Sequence, residues 1–287
     1  MKRIKYVIIS MVICIVIISI YIQPLSQRNI GGTKEFMYIE QKNLISNDNV
    51  SNGFIATPPI MLDSDTKENL TKFHIDARKL VEEFPTTFFT CSNTQQKKVA
   101  ITFDDGPDTK TTPKILKILD KYDIPATFFV IGENAQKHGD VCKEIISSGH
   151  QLANHSFTHL RPTDVSIKTL INDFEKCNEL LKDITNMDIQ YIRPPYGLVT
   201  LNQLLVLREK NFKIIGWSVD SMDWHTSDKD EIVRCVIDGI HPGAIVLMHS
   251  AGGSDNRVAT VHALPTIIES LKEQGYNFVT VEQLLKE

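Results

Sequence analysis

Two adjacent aspartates and a pair of histidines are the residues of this chain whose types and spacing could do chemistry. Asp104 and Asp105 directly follow an apolar run at 99–103, and His155 and His159 lie four residues apart further along the chain. One carboxylate and two imidazoles are suitable ligands for a divalent metal ion, with coordination positions left for water and substrate. The second carboxylate is then available as a base. The pattern therefore predicts metal-assisted hydrolysis.

Each half of this set also has a purely structural interpretation. Histidines four residues apart lie on the same side of a helical turn, where they could be surface or capping residues. The sequence Asp-Asp-Gly-Pro at 104–107 favours a turn. A turn explains the glycine and the proline, but it does not explain two adjacent acids after a buried strand. We therefore favour the metal interpretation, with both histidines on one helical turn.

The composition is that of a globular protein without the charge pattern of a nucleic-acid-binding protein. The chain has 287 residues, of which 42% are hydrophobic and 23% are charged, which is enough for one full-sized core. The formal net charge is −4, so no basic field favours nucleic acid, and we expect none as a partner. Four cysteines follow residue 22 without a CxxC pair, which favours free thiols.

The N-terminus predicts a membrane anchor at 1–22. Three of the first six residues are basic, and residues 7–22 are apolar except for two serines and a tyrosine. No small-residue cleavage site follows, which argues against a removed signal peptide. The basic end should stay in the cytoplasm, because positive charge is retained on that side. We therefore expect a single-pass protein of the cell membrane with an extracellular catalytic domain.

The remainder of the chain divides into a spacer at 23–96 and one folded domain at 97–287. Residues 23 to about 70 are rich in polar residues and show no lasting hydrophobic period. Residues 70–84 have helical spacing and are expected to pack on the main domain. From residue 97 onward, short apolar runs alternate with helical patterns, which indicates an α/β fold with parallel strands.

About seven strand–helix units predict a closed barrel with outer helices. The predicted strands lie at 99–103, 126–131, 151–154, 189–192, 212–216, 244–248 and 278–281. The chemically interesting residues follow the strands, where barrels of this kind place their active sites. The sequence therefore predicts a distorted (β/α) barrel with its active site at the carboxyl ends of the strands.

Five motifs in this order resemble those of the NodB-homology polysaccharide deacetylases, carbohydrate esterase family 4. The motifs are TFDDGP at 102–107, HSFTH at 155–159, RPPYG at 193–197, DSMDW at 220–224 and LMH at 247–249. The resemblance covers residues 97–285, and all five motifs fall at the ends of predicted strands. It implies a barrel that hydrolyses an N-acetyl group on a sugar.

The resemblance also implies roles for the residues around the metal ion. Asp105, His155 and His159 would hold the ion, and Asp104 would be the general base that takes a proton from water. A cation beside Asp104 would keep its carboxylate ionised. Arg193 is similar to the family arginine that orients the base, although a surface salt bridge is the simpler interpretation of an isolated arginine.

The same resemblance implies which residues stabilise the oxyanion, protonate the leaving nitrogen and bind the acetyl group. The backbone N–H of Tyr196 would stabilise the oxyanion, and His249 would protonate the leaving nitrogen. Asp223 would hydrogen-bond His249 and keep it charged. Trp224 and Leu247 would line a pocket for the acetyl methyl group, although both could be ordinary core residues.

The substrate implied by the anchor and the family is an N-acetylated cell-wall glycan, and peptidoglycan N-acetylglucosamine is favoured. N-acetylmuramic acid, chitin oligomers and exopolysaccharide stay open, as do a non-catalytic wall-binding module and a metallohydrolase of another amide or ester. The family favours Zn²⁺, while Co²⁺, Ni²⁺ and Mn²⁺ suit the same ligands. We expect a monomer.

Overall fold

The computed structural model describes residues 77–253 and 257–286. The predicted anchor at 1–22 and most of the predicted spacer at 23–96 lie outside these residues and stay predictions. Within the two described ranges, no helix combines the length and the apolar character that a membrane span requires. The folded part described below belongs to one compact unit of the chain.

Strands and helices alternate along the described chain, as the hydrophobic pattern predicts. The strands are β1 (Phe88–Phe89), β2 (Lys98–Asp104), β3 (Thr127–Val130), β4 (Gln151–Asn154), β5 (Tyr191–Ile192), β6 (Lys213–Ile215), β7 (Val219–Asp220), β8 (Ala244–His249) and β9 (Asn277–Phe278). The labelled helices are α1 (Thr112–Tyr122), α2 (Gly132–Lys137), α3 (Gly139–Ser147), α4 (Ile167–Thr185), α5 (Leu201–Glu209), α6 (Lys229–Gly239), α7 (Val258–Glu273) and α8 (Val281–Leu285). Residues 77–83 are also helical.

The nine strands form one sheet in which every pair of neighbouring strands is parallel. The order is β1-β6-β5-β4-β3-β2-β8-β7, and β9 pairs with β2. Parallel strands need a crossover between them, and the helices supply it. The α/β class predicted from the sequence is therefore confirmed, and the carboxyl ends of the strands lie along the same edge of the sheet.

The prediction of a closed barrel is wrong for the described residues. The curled sheet ends at β1 and β7, which do not pair, and an isolated antiparallel bridge joins Cys91 to Ala244. The sequence analysis also missed β1 and β7, because neither of these strands falls within an apolar run assigned to a strand. Closure depends on the tilt and register of strands that are distant in sequence, which a local pattern does not encode.

Alternation along β2 and β8 decides which side chains face the helices and which face the concave side of the sheet. On β2, Val99, Ile101 and Phe103 belong to the core cluster that packs against the helices, whereas Ala100 belongs to the inner cluster. Successive side chains of a strand point to opposite faces, so Asp104 must follow Ala100 inward. β8 repeats this pattern, and the register pairs Asp104 with His249.

Local differences from the sequence analysis occur at the ends of the described domain and in one helix. Residues 134–147, whose pattern in the sequence is that of one helix, belong to two helices, α2 and α3, which meet at His138. The sheet begins before residue 97, because β1 pairs with β6. The helical segment at 77–83 packs on a second core cluster, as its spacing predicts, with Ala77 buried there. All four described cysteines are free.

The packing of α1 gives a prediction about stability. Leu119 is fully buried in the main core cluster, and Leu119→Ala should lower the free energy of unfolding by about 2–5 kcal/mol, because it removes buried methyl groups and leaves a cavity. Lys117→Ala, at an exposed position of the same helix, should change it by no more than about 0.5 kcal/mol. Denaturant unfolding measures both, and equal losses would contradict the assignment of this helix face to the core.

Candidate active site

Asp105, His155 and His159, here called the metal triad, converge in the structure. One ligand atom from each residue lies within 4.8 Å of the other two. Asp105 Oδ1 is 3.5 Å from His155 Nε2 and 3.3 Å from His159 Nε2. Two ligands bound about 2.1 Å from one ion at the tetrahedral angle would lie about 3.4 Å apart. The separations therefore fit a shared divalent cation.

The polar atoms of the triad also fit a cation. Asp105 Oδ1 is buried and has no hydrogen-bond partner among the described residues, which is costly unless a positive group approaches it. His155 Nδ1 donates a hydrogen bond to the Arg193 carbonyl at 2.7 Å, which leaves the Nε2 lone pair directed at the triad. Burial lowers the pKa of His155 to about 3, so its imidazole is neutral, as a metal ligand must be.

The two histidines do not lie on a helical turn, and that part of the sequence analysis is wrong. His155 follows β4 directly, and residues 155–159 form a loop, here called the metal-ligand loop. Ser156 and His159 have φ angles of 67° and 55°, in the left-handed region that a helix does not visit. The spacing of four residues therefore brings the imidazoles together through a tight loop.

Asp104 lies beside the triad and is bound to a fully buried arginine. Its Oδ1 accepts a hydrogen bond from Arg193 Nη1 at 2.7 Å, and its Oδ2 lies 3.7 Å from His155 Nε2. Arg193 has no exposed surface, which excludes the surface salt bridge considered from the sequence. The same Nη1 also donates to Thr102 Oγ1 at 2.8 Å. These bonds fix the orientation of the Asp104 carboxylate.

The environment of Asp104 acts on its pKa in two directions. Burial raises the pKa of this carboxyl above its ordinary value, whereas the charges of Arg193 and His249 oppose the rise. The sequence analysis considered the stabilising cation alone, because burial is visible only in the folded structure. A carboxylate whose pKa is raised is the stronger base for accepting a proton from water.

His249 and Asp223 form a hydrogen-bonded pair on the other flank of the site. His249 Nδ1 donates to Asp223 Oδ1 at 2.7 Å, and the backbone N–H of His249 donates to Asp223 Oδ2 at 2.9 Å. Burial by itself lowers the pKa of His249, but the charge and hydrogen bond of Asp223, with the charges of Asp105 and Asp104, outweigh it and raise the pKa to about 9. The imidazole is therefore protonated at neutral pH.

The remaining predicted residues have different surroundings. Tyr196 is 55% exposed, has a φ of 60°, and its ring centroid lies 5.0 Å from that of His159. Trp224 is 42% exposed, which excludes a role as an ordinary core residue. Leu247 is only 4% exposed and packs in the inner cluster with Phe129 and Trp217, so packing accounts for most of its side chain.

The sequence analysis left several supporting residues without a role. Asp220 was quoted in a motif, and its Oδ1 accepts hydrogen bonds from Met222 N and from the Trp224 indole at 2.8 and 3.2 Å. Burial raises the pKa of Asp220 to about 6. On α7, Thr260 Oγ1 donates to Asp223 Oδ2 at 2.8 Å. No local pattern marks Thr260, because its partner lies 37 residues away in sequence.

Comparison with known proteins finds the same family that the five motifs resemble. The polysaccharide deacetylase family profile matches residues 92–215. A peptidoglycan-N-acetylglucosamine deacetylase of Bacillus cereus is 40% identical over 189 residues, which are 66% of this chain and 68% of the relative. The crystal structure of a peptidoglycan N-acetylglucosamine deacetylase in complex with 4-naphthalen-1-yl-N-oxidanyl-benzamide has a TM-score of 0.69 and 36% sequence identity, and the match covers 72% of this chain and 96% of that chain.

A second solved neighbour is a pseudoenzyme of the CE4 family from Bacillus anthracis, with a TM-score of 0.63, 31% identity and 68% of each chain covered. A parallel α/β sheet that presents carboxylates, imidazoles and a buried arginine at the carboxyl ends of its strands defines a hydrolase-like site. The chain belongs to the polysaccharide deacetylase family, also called the NodB-homology or carbohydrate esterase 4 family, as its five motifs indicate.

The His249–Asp223 pair gives a prediction about protonation. Asp223→Asn removes the charge that opposes the burial of His249, so the pKa of His249 should fall from about 9 toward its ordinary value. NMR titration of the imidazole measures the change. Asp238→Asn, at an exposed position of α6, serves as the control. An unchanged midpoint in Asp223→Asn would contradict the role of this carboxylate in retaining the proton.

Proposed function

We propose that this protein is a metal-dependent hydrolase that removes N-acetyl groups from cell-wall glycan, specifically from the N-acetylglucosamine of peptidoglycan. The main support is the convergence of the metal triad between a buried carboxylate, Asp104, and a protonated imidazole, His249. Relatives that carry the name peptidoglycan N-acetylglucosamine deacetylase support the substrate. The amide is the linear acetamide of the sugar, and the products are acetate and the free amine.

Asp105, His155 and His159 would hold one divalent cation, for which Zn²⁺ is proposed, with Co²⁺, Ni²⁺ and Mn²⁺ as substitutes. Such an ion, when bound, lowers the pKa of water and polarises the substrate carbonyl. The neutral state of His155 and the absence of a hydrogen-bond partner at Asp105 Oδ1 among the described residues support this assignment. The Arg193 carbonyl keeps His155 in the tautomer that presents Nε2.

Asp104 is the proposed general base. Its carboxylate accepts a proton as water attacks the acetamide carbonyl, and the hydrogen bond from Arg193 keeps its oxygens in one orientation during this transfer. Because Arg193 is fixed by the carbonyls of Ile215 and Gly216 as well as by Thr102, the base is supported by a rigid set of contacts.

His249 is the proposed general acid. Its proton passes to the departing amine nitrogen, and the Asp223 carboxylate stabilises the imidazolium until that moment. The register of β2 with β8 supports this division of roles, because Asp104 and His249 are paired neighbours at the ends of adjacent strands.

The acetyl group would lie between three further residues. The backbone N–H of Tyr196 is the proposed donor to the developing oxyanion, and its left-handed φ supports a specialised backbone orientation. Trp224 would contact the acetyl methyl group from the solvent side, since its indole is held by Asp220. Leu247 would contribute to the floor of the pocket, although it lies mainly within the inner cluster.

A non-catalytic wall-binding module is the alternative from another class, and the CE4 pseudoenzyme neighbour shows why it must be tested. The presence of the base, the triad and the acid in one site favours catalysis here. N-acetylmuramic acid, chitin oligomers and exopolysaccharide are alternative substrates for the same chemistry, because the acetamide is common to all of them.

The proposed location is the outer face of the cell membrane, with the catalytic domain extracellular. The basic and apolar residues at 1–22 support a single-pass anchor, and residues 23–76 supply length for the domain to reach the wall. We therefore propose that the protein is a monomer and that its partners are the N-acetylated glycan and the membrane.

Asp104→Asn tests catalysis against binding. Because the amide cannot accept the proton, acetate release should fall by about 10²–10⁴-fold, while the metal content stays close to that of the wild type. The unfolding temperature should fall, because Arg193 would lose its buried counter-charge. Asp238→Asn is the matched control and should retain activity. Undiminished acetate release in Asp104→Asn would contradict the proposed base, and no release from the wild type would favour the binding module.

Metal removal tests the substrate and the cofactor together. We expect the protein to release acetate from purified peptidoglycan, to lose this activity after chelation, and to regain it with Zn²⁺. Chitin oligomers are assayed in parallel, and faster release from them would reassign the substrate. Full activity in the chelated, metal-free protein would contradict the metal-dependent mechanism.

A further inference from the structure

The metal-ligand loop has a backbone conformation that needs outside support. It begins at His155 and ends at His159, and two of its five residues have positive φ. Non-glycine residues adopt such angles only when the surrounding structure holds them. The orientation of the His159 ring therefore depends on the groups that fix the backbone of Ser156, Phe157 and Thr158.

The loop carbonyls are fixed from one side by the start of α2. The backbone N–H of Gly132 donates to Ser156 O, and the N–H of Glu133 donates to Phe157 O, each at 2.9 Å. The Phe157 ring fills the space beside Gly132, where a Cβ atom would lie 2.4 Å from it. A side chain at residue 132 would therefore displace the loop.

The loop amides are fixed from the other side by one carboxylate on α4. Asp173 Oδ2 accepts hydrogen bonds from Phe157 N at 2.7 Å and Thr158 N at 3.2 Å. Asp173 Oδ1 accepts a third bond from Thr158 Oγ1 at 2.9 Å. Lys176, on the same helix, holds its ammonium 3.5 Å from the centroid of the Phe157 ring. One side chain thus restrains the two residues that immediately precede His159.

We propose that Asp173 is a positioning residue of the metal centre, which sets the backbone of the metal-ligand loop so that His159 Nε2 meets Asp105 Oδ1 and His155 Nε2. This inference rests on the proposed metal site. Asp173 lies 14 residues beyond the HSFTH motif and outside all five motifs. Its carboxylate acts through the loop backbone and does not touch the ion.

Replacement of Asp173 by asparagine tests this positioning role with little change in the shape of the side chain. Asp173→Asn keeps the shape of the side chain but leaves one accepting oxygen instead of two and removes the negative charge. The side chain can then no longer accept all three loop hydrogen bonds, and those that remain lose the contribution of the charge. Groups that orient a metal ligand from outside typically change metal affinity by about 10–100-fold. We expect at least about a tenfold weaker affinity for Zn²⁺ in this variant.

Competition titration of the full chain with Zn²⁺ and a chromophoric chelator measures this affinity. Asp183→Asn is the matched control, because it makes the same substitution at an exposed position of the same helix. Thr158→Val removes one of the three hydrogen bonds to Asp173, so it should weaken binding in the same direction but by less. Thermal unfolding of the metal-free proteins is recorded alongside.

A measurement in excess Zn²⁺ distinguishes a positioning role of Asp173 from a general loss of structure. If Asp173 positions His159, saturating Zn²⁺ should return acetate release by Asp173→Asn to within about threefold of the wild type, because the catalytic groups are intact. Equal Zn²⁺ affinities for Asp173→Asn and Asp183→Asn would overturn the proposal, as would a lower unfolding temperature without a change in affinity. If Asp173→Asn does not fold, an unchanged affinity in Thr158→Val overturns it.

The same titration distinguishes this inference from the proposed function. His159→Ala removes a proposed ligand and should abolish tight Zn²⁺ binding. If the wild type binds no Zn²⁺, or if His159→Ala binds it as well as the wild type, the metal site itself is wrong. If His159→Ala loses binding while Asp173→Asn retains it, the metal site stands and the positioning role fails.

Discussion

The buried charge of Arg193 is the constraint on which the rest of the site depends. A guanidinium without solvent contact is unfavourable unless every donor is satisfied, and the fold supplies a carboxylate, a hydroxyl and two backbone carbonyls within 3.1 Å. The Phe129 ring, whose centroid lies 4.1 Å from Arg193 Cζ, completes this environment. Because the Arg193 carbonyl also accepts from His155, a single residue sets the orientation of Asp104 and of one triad imidazole.

Burial disfavours the charged form of the groups on both flanks of the triad, but neighbouring charges change the outcome differently at each. At Asp104 it raises the pKa of the carboxyl, and the neighbouring positive charges only moderate this effect. At His249 burial alone would remove the proton, but the buried Asp223 carboxylate reverses the outcome and raises the pKa. The site therefore holds a proton acceptor and a proton donor at the ends of adjacent strands, as a hydrolysis that moves one proton each way requires.

Much of the architecture could be predicted because it is encoded locally. Short apolar runs marked β2 and β8, and helical patterns marked the segments between the strands, since each pattern reflects one element's own burial. Sheet closure could not be predicted in the same way. The edges at β1 and β7 depend on the register of short strands with partners that are distant in sequence, and no local pattern encodes that register.

The sequence by itself determined which residue types stand at the ends of the strands, and with them the family and the identity of the triad. Only the tertiary structure decided how those residues are held. The loop geometry of His155 and His159, the burial of Arg193 and the contact of Thr260 with Asp223 each join segments that are far apart in the chain or depend on exclusion of solvent. Hydrogen bonds and desolvation between distant segments leave no local pattern, because they arise only when the chain is folded.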